Sequence, residues 1–135
     1  MRLEDQLAQQ VATYLNLQYP SVIYHFDTGS GGRTTIGMAM RNKKLNKWRG
    51  WADLFIAHPM NGWHGLFIEL KVTSPFKKDG MLKKDEHLEE QMERLNDLQY
   101  RGYYSTFGVG FEHTKKMIDW YLTPNGVFKY NKPTK

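Results

Sequence analysis

Two strand-like runs, WADLFIAH (residues 51–58) and GLFIELKV (65–72), flank the segment PMNGWH. Asn61-Gly62 between apolar runs is a strong turn signal, so the stretch reads as a β-hairpin. Alternation along the second run sets Leu66, Ile68, Leu70 and Val72 on one face and Phe67, Glu69 and Lys71 on the other. With the turn near Asn61-Gly62, Asp53 falls opposite the Glu69–Lys71 end. A one-residue slip in pairing would send it to the wrong face. Charges inside apolar runs are costly unless something pairs with them. Two carboxylates and an ammonium at one end of a sheet offer hard oxygen ligands for Mg²⁺ or Mn²⁺ and a cation to orient water or stabilise a phosphorane-like transition state. E-x-K alone is usually an ordinary ion pair on a half-exposed strand; Asp53 at the head of the preceding strand, in a basic chain, shifts the balance toward a metal site.

The remaining segments suggest what surrounds the hairpin. Leu3, Leu7, Val11 and Leu15 recur at helical spacing, predicting a first helix that stops at Tyr19-Pro20. SVIYHF has the content of a short strand. Gly29, Gly31 and Gly32 make a glycine-rich turn, but no Gly-Lys-Ser/Thr follows, which argues against a nucleotide-binding P-loop. From Arg33 to Gly50 the chain is basic and irregular, with room for a short helix. A helix is expected from about Asp85 to Tyr100, with Leu88, Met92, Leu95 and Leu98 or Gln99 on one side and Gly102 as its cap. YYSTFGVGF reads as a further strand and HTKKMIDWYL as a last helix. VFKYN is a candidate edge strand. The expected order is αβββαβα: an α/β fold with a central mixed β-sheet flanked by helices, one domain over residues 1–131 and a tail over 132–135.

The chain has 135 residues, no cysteine and a net charge of +5. That length supports a core without disulfides, and the missing cysteines remove thiolate metal sites and suit a reducing compartment. No signal-like segment or membrane-length apolar stretch is present, so a soluble, cytoplasmic protein without membrane contact is expected. The charge is concentrated. No acid lies between Asp27 and Asp53, whereas Arg33, Arg41, Lys43, Lys44, Lys47 and Arg49 all do, and Lys77, Lys78, Lys83 and Lys84 follow the hairpin. A polyanionic partner and a merely solvated basic surface are both consistent with this pattern.

Ala52-Asp53 followed by Glu69-Leu70-Lys71 resembles the PD-(D/E)XK nuclease superfamily with its restriction-endonuclease-like core, and the surroundings resemble its VRR-NUC branch, which includes stand-alone virus-encoded proteins. The likeness rests on Glu4, Gly50-Trp51-Ala52-Asp53-Leu54, Ile68-Glu69-Leu70-Lys71, Gln91 and Gly102-Tyr103, in order from residue 4 to about Leu122. Ala52 stands where proline usually precedes the metal aspartate. The resemblance implies that Asp53, Glu69 and the Leu70 carbonyl ligate Mg²⁺ or Mn²⁺, with Lys71 beside the attacking water. It further implies that Glu4 approaches as a ligand or through water, and that Gln91 supports the site. Glu4 as a simple helix-start acid and Gln91 as an exposed helix residue remain the plain alternatives.

The resemblance also implies a metal-dependent DNA endonuclease leaving a 5′-phosphate and a 3′-hydroxyl. Branched DNA is the expected substrate, with Holliday-junction resolution by a homodimer as the leading expectation and flap cutting or nicking next. A non-catalytic nucleic-acid-binding module is the reading from a different class. Arg33 to Arg49 together with Lys77 and Lys78 would hold phosphates without reading sequence. The five histidines show no paired metal spacing. His25 and Asp27 precede the basic loop and are candidates to reach the cleft. No serine has a G-x-S-x-G setting. Trp48, Trp51 and Trp63 flank the hairpin, as packing groups or as stacking surfaces for unpaired bases.

Overall fold

The computed structural model describes residues 1–27 and 35–124. The chain runs α1 (Leu3–Gln18), β1 (Tyr24–Phe26), α2 (Ile36–Leu45), β2 (Leu54–Ile56), β3 (Leu66–Lys71), α3 (Glu86–Tyr100), β4 (Tyr104–Val109) and α4 (Gly110–Leu122). The four strands lie in the order β1-β2-β3-β4, antiparallel across the first two pairs and parallel between β3 and β4. This is the expected mixed sheet flanked by helices. The short helix allowed for in the basic segment is α2, so the order becomes αβαββαβα. Arg33, the candidate edge strand at 127–131 and the tail at 132–135 lie outside the described residues.

The larger core fills one side of the sheet. Leu7, Val11 and Leu15 of α1, with Ile118, Tyr121 and Leu122 of α4, pack on Leu54, Ile56, Leu66, Ile68 and Leu70. The apolar spacing of α1 explains why that stripe is buried, although Leu3 at its start stays exposed. Val72, expected to share the face of Leu70, lies just past the end of β3 and is exposed.

The opposite side of the sheet is also covered. Phe67 and Phe107 pack against Leu95 and Leu98 of α3, with Met92 and Phe55 at the edges. Asp85 starts α3 by accepting a hydrogen bond from Leu88 N at 3.0 Å, and Glu86 and Glu89 favour its positive end. The buried positions of α3 are Gln91, Leu95 and Leu98, while Leu88 is half-exposed. Glu69 therefore projects into a closed layer between β3 and α3.

α2 is different. Thr35 caps it, accepting from Met38 N at 3.1 Å, but none of its residues is buried. It carries Arg41, Lys43 and Lys44 on an open surface.

Candidate active site

The carboxylates meet because of a register shift. Leu54 pairs with Ile68 and Ile56 with Leu66. One further step sets Asp53 directly across from Glu69, on the same face. The turn alone would not do this. Met60 pairs with Trp63 around Asn61 (φ 58°) and Gly62 (φ 86°). Continued unbroken, that pairing would set Asp53 against Leu70 and turn its side chain to the other face. Residues 57–59 of the first arm face only residues 64–65 of the second, and this extra residue moves Asp53 into line with Glu69.

Each carboxylate is then held in place. Leu70 N donates to Asp53 Oδ2 at 2.8 Å. Gln91 Nε2 donates to Glu69 Oε2 at 3.0 Å, and Lys71 Nζ lies 3.9 Å from the same oxygen. Glu69 and Gln91 are only 5% and 6% exposed. Gln91 Nε2 also lies 3.3 Å from His87 Nε2. Sequence spacing did not single out His87 for the site; it is one helical turn before Gln91, and that separation was the available signal.

Burial, followed by the adjacent Asp53 charge, pushes the Glu69 carboxyl up to about 9. Burial also raises Asp53, partly offset by its hydrogen bonds to Glu69 and the Leu70 amide and by the Lys71 charge. Gln91 Oε1 is buried without a hydrogen-bond partner, and Glu69 Oε1 is buried with none besides the Asp53 carboxyl. A hard divalent cation fits this donor set: two adjacent buried carboxylates, from which an entering cation would displace the proton that Glu69 holds. Among the described residues no three His, Cys, Asp or Glu side chains gather closely enough for a fuller cage. Backbone carbonyl, water and substrate oxygens would have to complete the shell.

The other candidates fall at varying distances. Glu4 is exposed in the first turn of α1 and contributes to raising Asp53 through its charge. Asp27 N donates to Asp53 O at 2.7 Å, continuing the β1–β2 register in which His25 pairs with Phe55. By register, His25 and Asp27 share the face of Asp53. Arg41, Lys43, Lys44, Lys47, Arg49, Lys77 and Lys78 are exposed and touch neither carboxylate. Trp63 is buried, whereas Trp48 and Trp51 are not.

The approach to Asp53 is anchored on α3. Arg94 Nε donates to Arg49 O at 2.8 Å, and Arg49 pairs with Glu90 at 3.7 Å. Gly50 has φ 74° and lies so close to the helix that a Cβ would stand 2.7 Å from Glu90 O. Glycine is therefore required there on two counts.

By sequence, the chain matches no protein-family profile and no curated protein. By structure, it is similar to a solved chain named VRR_NUC domain protein, with a TM-score of 0.63 and 21% identity, over 88% of this chain and 87% of that one. The four helices and mixed sheet that bring Asp53 to Glu69 thus follow, over nearly the whole chain, the fold of a VRR_NUC domain protein.

Proposed function

We propose that this protein is a Mg²⁺- or Mn²⁺-dependent, structure-selective DNA endonuclease. The carrying observation is the placement of Asp53 across from a buried Glu69, with Lys71 on the same face. The nuclease-type fold supports the reading.

In this mechanism Asp53, Glu69 and the Leu70 carbonyl would hold the cation, with Glu4 as a further ligand or a contact through water. When bound, the cation makes a coordinated water a better nucleophile and offsets charge on the phosphate oxygens. Lys71 orients the attacking water and stabilises the growing negative charge. Gln91 keeps Glu69 in its rotamer, and the Leu70 amide does the same for Asp53. A bond forms from the water oxygen to phosphorus as the bond from phosphorus to the 3′ oxygen breaks, leaving a 5′-phosphate and a 3′-hydroxyl. The exposed cations from Arg41 to Arg49, with Lys77 and Lys78, hold DNA phosphates away from the cut.

So small a domain has little surface for sequence readout, which favours recognition of DNA shape. A four-way junction resolved by a homodimer is the specific substrate and assembly proposed, because twofold-related sites suit a near-symmetric junction. The setting is intracellular.

The test uses labelled four-way junction, flap and linear duplex DNA with Mg²⁺, Mn²⁺ or EDTA, alongside Lys71→Ala and Asp53→Asn. Paired symmetric cuts in the junction, dependent on metal and lost in both variants, are expected. Cuts in the flap alone would replace resolution by flap cleavage. Salt-sensitive binding without cleavage under any metal would leave a binding module instead.

A further inference from the structure

Two of the four tryptophans are left exposed in the segment that leads into Asp53. Trp63 and Trp120 are buried, but Trp48 is 60% and Trp51 47% exposed. Exposed indoles of this kind can stack on unpaired bases. Both rings have close neighbours. Trp51 meets the edge of Phe67 at 5.3 Å and 78°, and Phe67 stacks on Phe55 at 4.4 Å and 21°. Phe67 lies two residues before Glu69 on the same strand face, so Trp51 opens on the side of the sheet that carries Asp53, Glu69 and Lys71. The Arg94 guanidinium lies 5.0 Å from the Trp48 ring, and Lys47 Nζ lies 4.8 Å from it. Arg94 is itself fixed by Asp97 at 2.6 Å and by the Arg49 carbonyl at 2.8 Å.

The segment Lys47-Trp48-Arg49-Gly50-Trp51 alternates cations with exposed indoles and ends two residues before Asp53. We infer that Trp48 and Trp51 form a stacking platform for unpaired nucleobases beside the scissile phosphate. Resting on the nuclease reading, this narrows the substrate class to DNA with unpaired nucleotides next to the cut. Every base has a π-face that an indole can cover, but in duplex DNA each face is already covered by a neighbouring base. Only a flap, a gap or an opened branch point presents a free one. The basic groups supply the charge complementarity a polyanionic strand requires. Because the rings are already fixed, little ordering cost opposes stacking.

The test is tryptophan fluorescence of the full chain in EDTA, titrated with oligothymidylate and with a hairpin duplex of equal phosphate number. Trp48→Ala, Trp51→Ala and Trp51→Leu are compared, the last keeping an apolar contact with Phe67. Oligothymidylate should quench the wild type, and each variant should bind it roughly tenfold more weakly while duplex affinity changes less than twofold. Equal losses for both DNAs, unchanged single-strand binding, or no binding of either DNA would overturn the inference. So would sedimentation showing that Trp51→Leu alters self-association and leaves single-strand binding intact, which would make the face a protein interface. Junction cleavage with Mg²⁺ is scored separately: cleavage without stacking removes only this inference, and stacking without cleavage removes only the nuclease reading.

Discussion

The Gln91 side-chain amide donates to Oε2 of Glu69 at 3.0 Å, so a helix on one side of the sheet sets the direction of a carboxylate on β3. Gln91 is buried, and its only described donor partners are Glu69 and the His87 ring nitrogen. Gln91→Leu keeps the volume and removes the donor. Groups that orient metal ligands are typically worth ten- to a hundredfold, so cleavage and apparent Mg²⁺ affinity should each fall by about that factor. Steady-state rates over a Mg²⁺ titration check this. A variant with wild-type rate and metal dependence would remove Gln91 from the site.

Glu69 links the site to stability through pH. Its carboxyl lies at about 9 in the folded, metal-free protein against an ordinary 4.5. Between these values the folded state keeps a proton that the unfolded state has released. Stability is therefore highest at the acidic end of this window and falls as pH rises through it, until the folded group also ionises. Urea unfolding in EDTA from pH 5 to 9 should show the decline, and Glu69→Gln should flatten it. Added Mg²⁺ competes with the proton, so its stabilisation should grow with pH. A Glu69→Gln curve parallel to the wild type would refute this account.

Gly50→Ala tests how Asp53 is delivered. A Cβ there meets the Glu90 carbonyl at 2.7 Å, and φ 74° disfavours any L side chain. The strap from Trp48 to Asp53 must lift from α3, with an expected loss of about 1–3 kcal/mol and weakened cleavage. Gly37→Ala is the control, since nothing lies within 4 Å of its added Cβ. Urea denaturation of both variants gives the comparison.

What could be seen in the sequence was local. The stripe Leu7, Val11 and Leu15, the Asn61-Gly62 turn and the start of α3 at Asp85 each announce themselves within a few residues. The motif residues Asp53, Glu69, Lys71 and Gln91 do come together. The extra residue in 57–59 was not visible, because Asn-Gly reads as a simple two-residue hairpin and the surplus shows only once both strands are paired. α2 buries nothing, so it carries no apolar periodicity to detect. Nothing near Glu69 in the sequence announces that α3 covers it; that burial depends on Phe67 and Phe107 forming a second core, a tertiary fact. Buried Gln91 breaks the apolar spacing of α3 for the same reason, as its partner lies on a strand 22 residues away.

Asp119 ties α4 to α1. Its Oδ1 accepts hydrogen bonds from the hydroxyls of both Tyr14 and Tyr19, and Lys115 approaches Oδ2 at 3.3 Å. Burial and the neighbouring carboxylate raise both phenols, which keeps them as donors across the ordinary pH range. Asp119→Ala leaves two donors without their acceptor and should cost about 1–3 kcal/mol. The cluster touches none of the catalytic candidates, so cleavage per folded molecule should be unchanged. Thermal melts and initial rates measured well below the transition separate the two effects.

α2 allows binding to be tested without disturbing the core, because none of its residues is buried. Lys43→Glu with Lys44→Glu replaces two exposed cations in its last turn with anions. If these lysines neutralise phosphates, each lost contact should reduce the slope of log affinity against log salt by about 0.9, and affinity at low salt should fall at least tenfold. Both acids oppose the negative end of the helix, which costs α2 a fraction of a kcal/mol, while the global melt should hardly move. Cleavage at saturating DNA should persist, since neither lysine approaches Asp53 or Glu69. Electrophoretic shifts from low to moderate salt, paired with a melt of each variant, make the measurement. An unchanged salt slope would place the DNA on another face and make the acid-free stretch between Asp27 and Asp53 an ordinary solvated surface.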